Sequence, residues 1–325
     1  MRRKNAYIAI KTVIFLVVGI LLYQEVNAVF VEKSTYGRYL NFKHMENVDL
    51  LILGSSHSDN GIGAAAIETG LEERLGRKTD VYNYSIFGMR LEQMYYVLQE
   101  VLKTQKPKLI VIEAFSFVES EPENYEILTR RAFDYFPLSM NKIEAVKYCA
   151  DGKYETYLIP LLKYHTRWKE LTAEDIGYRF RSSLWEKDGR AYNTTKQVME
   201  RKDDYFSQDF SVINEEQALG KRAEEKLQDI LQLAEKNQIK VLFLSIPFKQ
   251  QLGVSSVDSI RMNNYVDAKY VNGESVRMLD LNRKANEIKF GYKYLKDEGH
   301  CNRKGAKKVT NILIDYISEQ YKEWL

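Results

Sequence analysis

Ser55 and Ser56 stand where an apolar run stops, in Leu50-Leu51-Ile52-Leu53-Gly54-Ser55-Ser56-His57-Ser58-Asp59-Asn60-Gly61. Gly-Ser-Ser after such a run also reads as a plain turn or a helix N-cap. A serine nucleophile needs more: a general base beside it, and an acid that orients the base and stabilises the imidazolium formed during attack. The chain has four histidines. His57 adjoins Ser56, and chain neighbours seldom point at each other. His44 lies in a polar stretch and has no assigned role. His165, in residues 163–168 (KYHTRW), suits a structural or substrate-facing place. His300 remains, in Asp297-Glu298-Gly299-His300, where an acid three residues earlier can reach Nδ1 within one tight turn. Asp297, His300 and Ser56 would form a triad drawn from opposite ends of the chain.

Such groups must be positioned by a framework, and the hydropathy pattern supplies one. Residues 48–53, 79–84, 108–115, 239–247 and 275–281 read as strands, the first, third and fourth as continuous apolar runs typical of a buried parallel sheet. Helical spacing at 62–75, 91–103, 215–238 and 304–325 alternates with them. Strand, helix, strand at this spacing predicts an α/β fold, a three-layer α/β/α sandwich with a central parallel five-stranded sheet. In open α/β sheets ligands bind beyond the carboxyl ends of the strands, where Ser56 falls. The alternation lapses at about 116–214, an aromatic- and charge-rich insertion with helices expected at 141–149, 154–164 and 174–180. Within it, Trp168 and Trp185 suggest a glycan-facing surface.

With 325 residues, 45% of them hydrophobic, the chain can bury a sizeable core. Its net charge of +3 gives no case for nucleic acid. Cys149 and Cys301 are the only cysteines, which excludes a disulfide scaffold and leaves their pairing open. Neither GxGxxG nor GxxxxGK[ST] occurs, so no nucleotide cofactor is expected, and no metal site is read. The amino end divides into a basic tail (1–5), an apolar segment (6–28) and a polar stalk (29–47), before the main domain at 48–325. At 1.5 Å per residue the apolar segment can cross a hydrocarbon layer of about 30 Å, with the basic flank on the cytoplasmic side and the domain outside. Val26-Asn27-Ala28 would also pass as a signal-peptide cleavage site. Either reading exports the domain; the signal-anchor reading makes it a single-pass membrane protein.

The ordered blocks resemble the SGNH (GDSL-type) hydrolases. Residues 50–56 are similar to that family's first block, with Ser56 in the nucleophile's place and Ser55 in that of the family aspartate. Residues 81–88 (VYNYSIFG) are similar to the second block, which implies that Gly88 and Ser56 supply oxyanion-hole N–H groups. Residues 107–113 (PKLIVIE) resemble the strand leading to the third block, and residues 297–306 resemble the fifth, with Asp297 and His300 as acid and base. The resemblance spans most of 48–325 apart from the insertion, and implies a flavodoxin-like sheet. The third block's asparagine, a further oxyanion donor, has no counterpart in residues 114–118 (AFSFV).

Together with the anchor and insertion, these features resemble exported proteins that acylate or de-acylate cell-surface polysaccharides, of the alginate-acetylation and teichoic-acid D-alanylation kind. The resemblance implies an acyl donor and a glycan as substrates, a membrane-bound O-acyltransferase as partner, and Ser55, His165 and Trp168 as substrate-facing residues. The missing asparagine supports the alternative of a non-catalytic glycan-binding or assembly component on the same fold.

Overall fold

The computed structural model describes residues 2–325 except 34, 120, 151, 193–194 and 201–204; Met1 of the expected basic tail lies outside the described residues. The chain opens with helix α1 (Arg2–Phe30) and α2 (Tyr36–His44), followed by β1 (Leu50–Leu53), α3 (Ser56–Gly61), α4 (Ala64–Leu75), β2 (Val81–Asn83), α5 (Leu91–Val101) and β3 (Leu109–Glu113). The insertion then carries α6 (Tyr125–Phe133), α7 (Met140–Cys149), α8 (Tyr154–Leu158), α9 (Leu161–Tyr164) and α10 (Ala173–Gly177), joined by short 3₁₀ turns. Alternation resumes with α11 (Lys221–Lys236), β4 (Lys240–Ser245), a small hairpin of β5 (Gln250–Gln251) and β6 (Val254–Ser255), α12 (Ser256–Tyr270), β7 (Val276–Asp280) and α13 (Arg303–Gln320).

Five of these strands form one parallel sheet in the order β2-β1-β3-β4-β7. Side chains alternate between its faces because the strand period is two, and both faces are buried. Leu51, Leu53, Ile110, Ile112, Val241 and Phe243 pack with α5 and α11 on one side. Leu50, Ile52, Leu109, Val111, Leu242 and Leu244 pack with α4 and α13 on the other. The strand reading therefore agrees with the structure in number, direction and burial. Cys149 belongs to the first cluster and Cys301 to the second, so they do not pair with each other; both are buried.

Two expectations need correction. Residues 29–47 are no stalk: α2 packs Tyr36, Leu40 and Phe42 into the core, and Arg38 pairs with Asp59 of α3. The polar composition misled because α2 spends its arginine on a buried partner. Helix α11 begins at Lys221 and not at residue 215, since Glu119 accepts hydrogen bonds from the N–H groups of Arg222 and Ala223 and so fixes the first turn there. Helix α1 holds an apolar stretch, Asn5–Phe30, long enough to cross a membrane, none of it buried against the rest of the chain over its most apolar window.

Candidate active site

Strand β1 runs straight into α3, and Ser55 caps that helix by accepting a hydrogen bond from the His57 N–H. The turn is tight. A Cβ on Gly54 would sit 1.9 Å from Ser58 Oγ and 2.7 Å from Glu113 Cβ, so only glycine lets the sheet end so close to the helix. Ser56 follows as the first helical residue and is partly exposed, while residues 51–55 and 57–60 are all buried.

The opposite wall comes from the far end of the chain. An antiparallel bridge between Leu295 and Cys301 closes the loop of residues 295–301, and Asn302 anchors it by donating to the carbonyls of Lys293 and Leu295 while capping α13. Within this loop Asp297 Oδ1 accepts from the N–H groups of Gly299 (2.9 Å) and His300 (2.8 Å) and from His300 Nδ1 (2.8 Å). A carboxylate on Nδ1 fixes the proton there and leaves the lone pair on Nε2. Ser56 Oγ lies 2.8 Å from that Nε2 and donates to it. Burial raises the pKa of Asp297, but the hydrogen bond and charge of His300 and the two N–H groups outweigh it, holding the carboxyl below its ordinary range. Ser56, His300 and Asp297, 244 positions apart at their extremes in sequence, thus form one hydrogen-bonded relay.

Gly88 sits in the turn after β2 with φ +81°, and a Cβ there would meet Leu128 Cδ2 at 2.5 Å. Among the described residues, neither the Gly88 N–H nor the Ser56 N–H finds an acceptor. Where the third-block asparagine was expected, Phe115 is buried, and its N–H donates to Glu113 Oε1 at 2.7 Å. The ring stacks on His57 at 4.2 Å, and Phe248 meets His57 edge-on at 4.9 Å. Neither Phe115 nor Phe248 carries a side-chain donor.

Residues that the sequence left unassigned surround the relay. Glu113, at the carboxyl end of β3, is fully buried, and its Oε2 accepts from Ser55 Oγ at 2.7 Å. Burial raises its pKa beyond what the hydrogen bonds of Ser55 and Phe115 and the nearby Arg90 lower it. A lone acidic residue ending the apolar run 109–113 was the signal for it. His57 is buried, and neither of its ring nitrogens has a hydrogen-bond partner among the described residues. Burial first, then the charges of His300 and Arg90, push its imidazole well below the usual range, so it stays neutral. Lys296 donates to Asn60 Oδ1 at 2.6 Å while Asn60 Nδ2 donates to the Ser56 carbonyl at 2.6 Å, a second tie between the two ends of the chain.

The four residues expected to face substrate or glycan lie in different settings. Ser55 is buried with its hydroxyl spent on Glu113, so it presents nothing to a substrate. His165 is exposed and turned onto the Leu162 carbonyl at 2.9 Å, and Trp168 lies in the same turn; among the described residues no hydrogen bond or ring contact joins either to Ser56 or His300. Trp185 is buried, donating to the Tyr178 carbonyl at 3.0 Å. The cleft that does open on the relay has a volume of about 520 Å³ and is lined by Gln250–Gly253 and Asp297–His300. A larger cavity of about 700 Å³, bounded by Phe206, Lys289, Phe290 and Tyr292, shares no lining residue with it.

No protein-family model matches the chain, and no curated protein matches it.

Proposed function

We propose that this protein is a membrane-anchored, SGNH-like acyl-transfer enzyme acting outside the cytoplasm on a cell-envelope glycan. The relay of Ser56, His300 and Asp297 carries the reading, because a serine hydroxyl donating to a carboxylate-oriented imidazole is the arrangement acyl transfer needs. Ser56 Oγ attacks the acyl carbonyl and passes its proton to His300 Nε2. The leaving group departs with that proton, and the Ser56 acyl ester remains. A glycan hydroxyl or water then gives its proton to His300 and takes the acyl group, regenerating Ser56. The unengaged N–H groups of Ser56 and Gly88 are the expected oxyanion donors.

The strand order also supports the reading. With the strands of the large sheet counted in sequence it is 2-1-3-4-5, the flavodoxin-like order, in which ligands bind where the order reverses, beside the first and third strands. That is where Ser56 lies. A membrane-bound O-acyltransferase delivering the acyl group remains part of the proposal, as does the anchoring role of α1.

The donor-free wall of Phe115 favours a second reading, a glycan-binding or assembly component without turnover. Incubating the detergent-solubilised full chain with a fluorophosphonate and with p-nitrophenyl acetate separates the two. Labelling at Ser56, absent in Ser56→Ala, supports the enzyme; a folded chain that neither labels nor releases p-nitrophenol overturns it.

A further inference from the structure

We propose that the insertion is a membrane-seating platform: its apolar side chains around the exit of α1 rest in the bilayer interface and hold the domain in one orientation on the lipid surface. The inference rests on α1 spanning the membrane and goes beyond the chemistry of Ser56.

Among the described residues, nine of the fourteen exposed large apolar side chains outside α1 fall between Ile127 and Phe180. Single exposed apolar groups are ordinary on a protein surface, but a concentration in one segment marks an interaction face. Leu162, Trp168 and Ile176 are 50%, 64% and 61% exposed and belong to α9, the following 3₁₀ turn and α10, each of which packs against α1. Phe180, 79% exposed, lines two cavities that α1 also lines, and Leu138, 59% exposed, lines the larger of these, a groove of about 500 Å³ that reaches Ile20 and Tyr23 of α1 and Lys43 of α2.

What covers this face follows from the helix. α1 is exposed from Asn5 to Leu22, and the domain first covers it at Tyr23. Twenty residues from Ala6 reach Glu25, a rise of about 30 Å, so Glu25 falls near the far edge of the hydrocarbon layer. Arg179 pairs with Glu25 there, Arg167 donates to the Phe30 carbonyl, and Lys33 donates to the carbonyls of Ala28, Val29 and Val31. The Arg179 and Arg167 bonds, with the ion pair of Lys33 and Asp175 of α10 at 3.7 Å, fix the exit of α1 to the insertion. Side chains packed around those turns are therefore held at headgroup depth. Trp168, with the Lys169 ammonium 5.5 Å over its ring, has the amphipathic chemistry favoured at that level. The occupant of the face is the lipid surface that α1 enters, and the groove beside Ile20 and Tyr23 opens to acyl chains.

Two exposed tryptophans make this testable, since Trp324 is also exposed but stacks under Lys240, at the amino end of β4 and away from α1. Full-length Trp168→Phe and Trp324→Phe, each keeping buried Trp185 as common background, are reconstituted in phosphatidylcholine–phosphatidylglycerol vesicles, with and without lipids brominated near the carbonyl. The expected result is quenching of about half the exposed-tryptophan emission in Trp324→Phe and almost none in Trp168→Phe. Adding Ile176→Asp and Phe180→Asp to Trp324→Phe should leave vesicle flotation intact and cut the quenching at least about two-fold. Chain that floats with the vesicles yet shows no quenching of Trp168, or equal quenching of Trp168 and Trp324, overturns the platform while leaving the anchor and the acyl-transfer reading standing. Failure to float overturns the anchor and the platform together.

Discussion

Ser55 Oγ donates to Glu113 Oε2 across 2.7 Å, joining the end of β1 to the end of β3 in a site closed to solvent. The carboxylate that braces the nucleophile turn thus comes from the neighbouring strand, while the position before Ser56 supplies only a hydroxyl. Replacing Ser55 by aspartate would set two buried carboxyl groups against each other, and one must then bind a proton or the turn must open. Ser55→Asp should cost about 2 kcal/mol or more in urea unfolding. Adding Glu113→Gln, whose amide can donate to the new carboxylate, should recover most of that loss. If the double variant is no more stable than Ser55→Asp, the bracing role assigned to Glu113 is wrong.

His300 is useful as a base only while its proton stays on Nδ1, which Asp297 Oδ1 ensures. Ser56→Ala and His300→Ala should lower acyl release by about 10³-fold or more with folding retained, and Asp297→Asn by about as much, because an amide can donate to Nδ1 and favour the other tautomer. Asp297 is held below the ordinary carboxylate range, so its ionised form is lost only as pH falls through that depressed value. The wild-type labelling rate should therefore show no loss from Asp297 at or above the usual carboxylate pKa, about 4. Wild-type rates in His300→Ala would remove the base assignment.

His57 gives the fold an acid sensitivity of its own. Burial holds the folded-state imidazole far below its ordinary value, whereas the unfolded chain binds a proton near pH 6.5. Below that pH the unfolded state holds more protons than the native one, so stability falls with pH, at a slope of up to about 1.4 kcal/mol per pH unit from this residue. His57→Phe, which keeps the aromatic contact with Phe115 and removes the titration, should flatten the slope between about pH 6.5 and 5. Parallel wild-type and variant profiles, measured by thermal unfolding in detergent, would contradict this.

The sequence disclosed the sheet because each of its strands is short, apolar and bounded by turn residues, and it disclosed Asp297 and His300 because their contact is local, three residues apart. Glu113, Arg38 and Lys296 escaped because their partners are remote: a glutamate ending a strand or an arginine in a polar segment looks like ordinary surface until the fold buries it against Ser55 or Asp59. The surroundings of the insertion were hidden for the same reason: its aromatic residues announce an interface, but the packing of α9 and α10 against α1 is tertiary and leaves no local signal.

Gly88 couples two demands at one position. Its φ of +81° disfavours any side chain, and a Cβ would press on Leu128 at 2.5 Å, so Gly88→Ala must shift the turn whose N–H is the proposed oxyanion donor. A displaced oxyanion donor typically costs about 10²-fold in rate. Gly88→Ala should therefore slow acyl release by about that factor, and Leu128→Ala added to it should restore stability more than rate, because it relieves the clash but not the backbone strain. Equal recovery of both would mean that Gly88 serves packing alone.

Arg38 shows how the membrane-proximal segment is tied to the nucleophile. Its guanidinium donates to Asp59 Oδ1 on α3 and to the Ser85 carbonyl in the turn before Gly88, so one side chain spans the two elements that carry the N–H groups proposed as oxyanion donors. Asp59 is 2% exposed, and deleting Arg38 leaves its charge uncompensated in the interior. Arg38→Met should cost about 3 kcal/mol or more, whereas Arg38→Met with Asp59→Asn, which removes both charges, should cost much less. The two variants also separate stability from function. If Arg38 positions the turn of Ser85 to Gly88, the double variant will be stable yet still slow in acyl release, with the loss in kcat rather than KM. A double variant that matches wild type in both would confine Arg38 to neutralising Asp59.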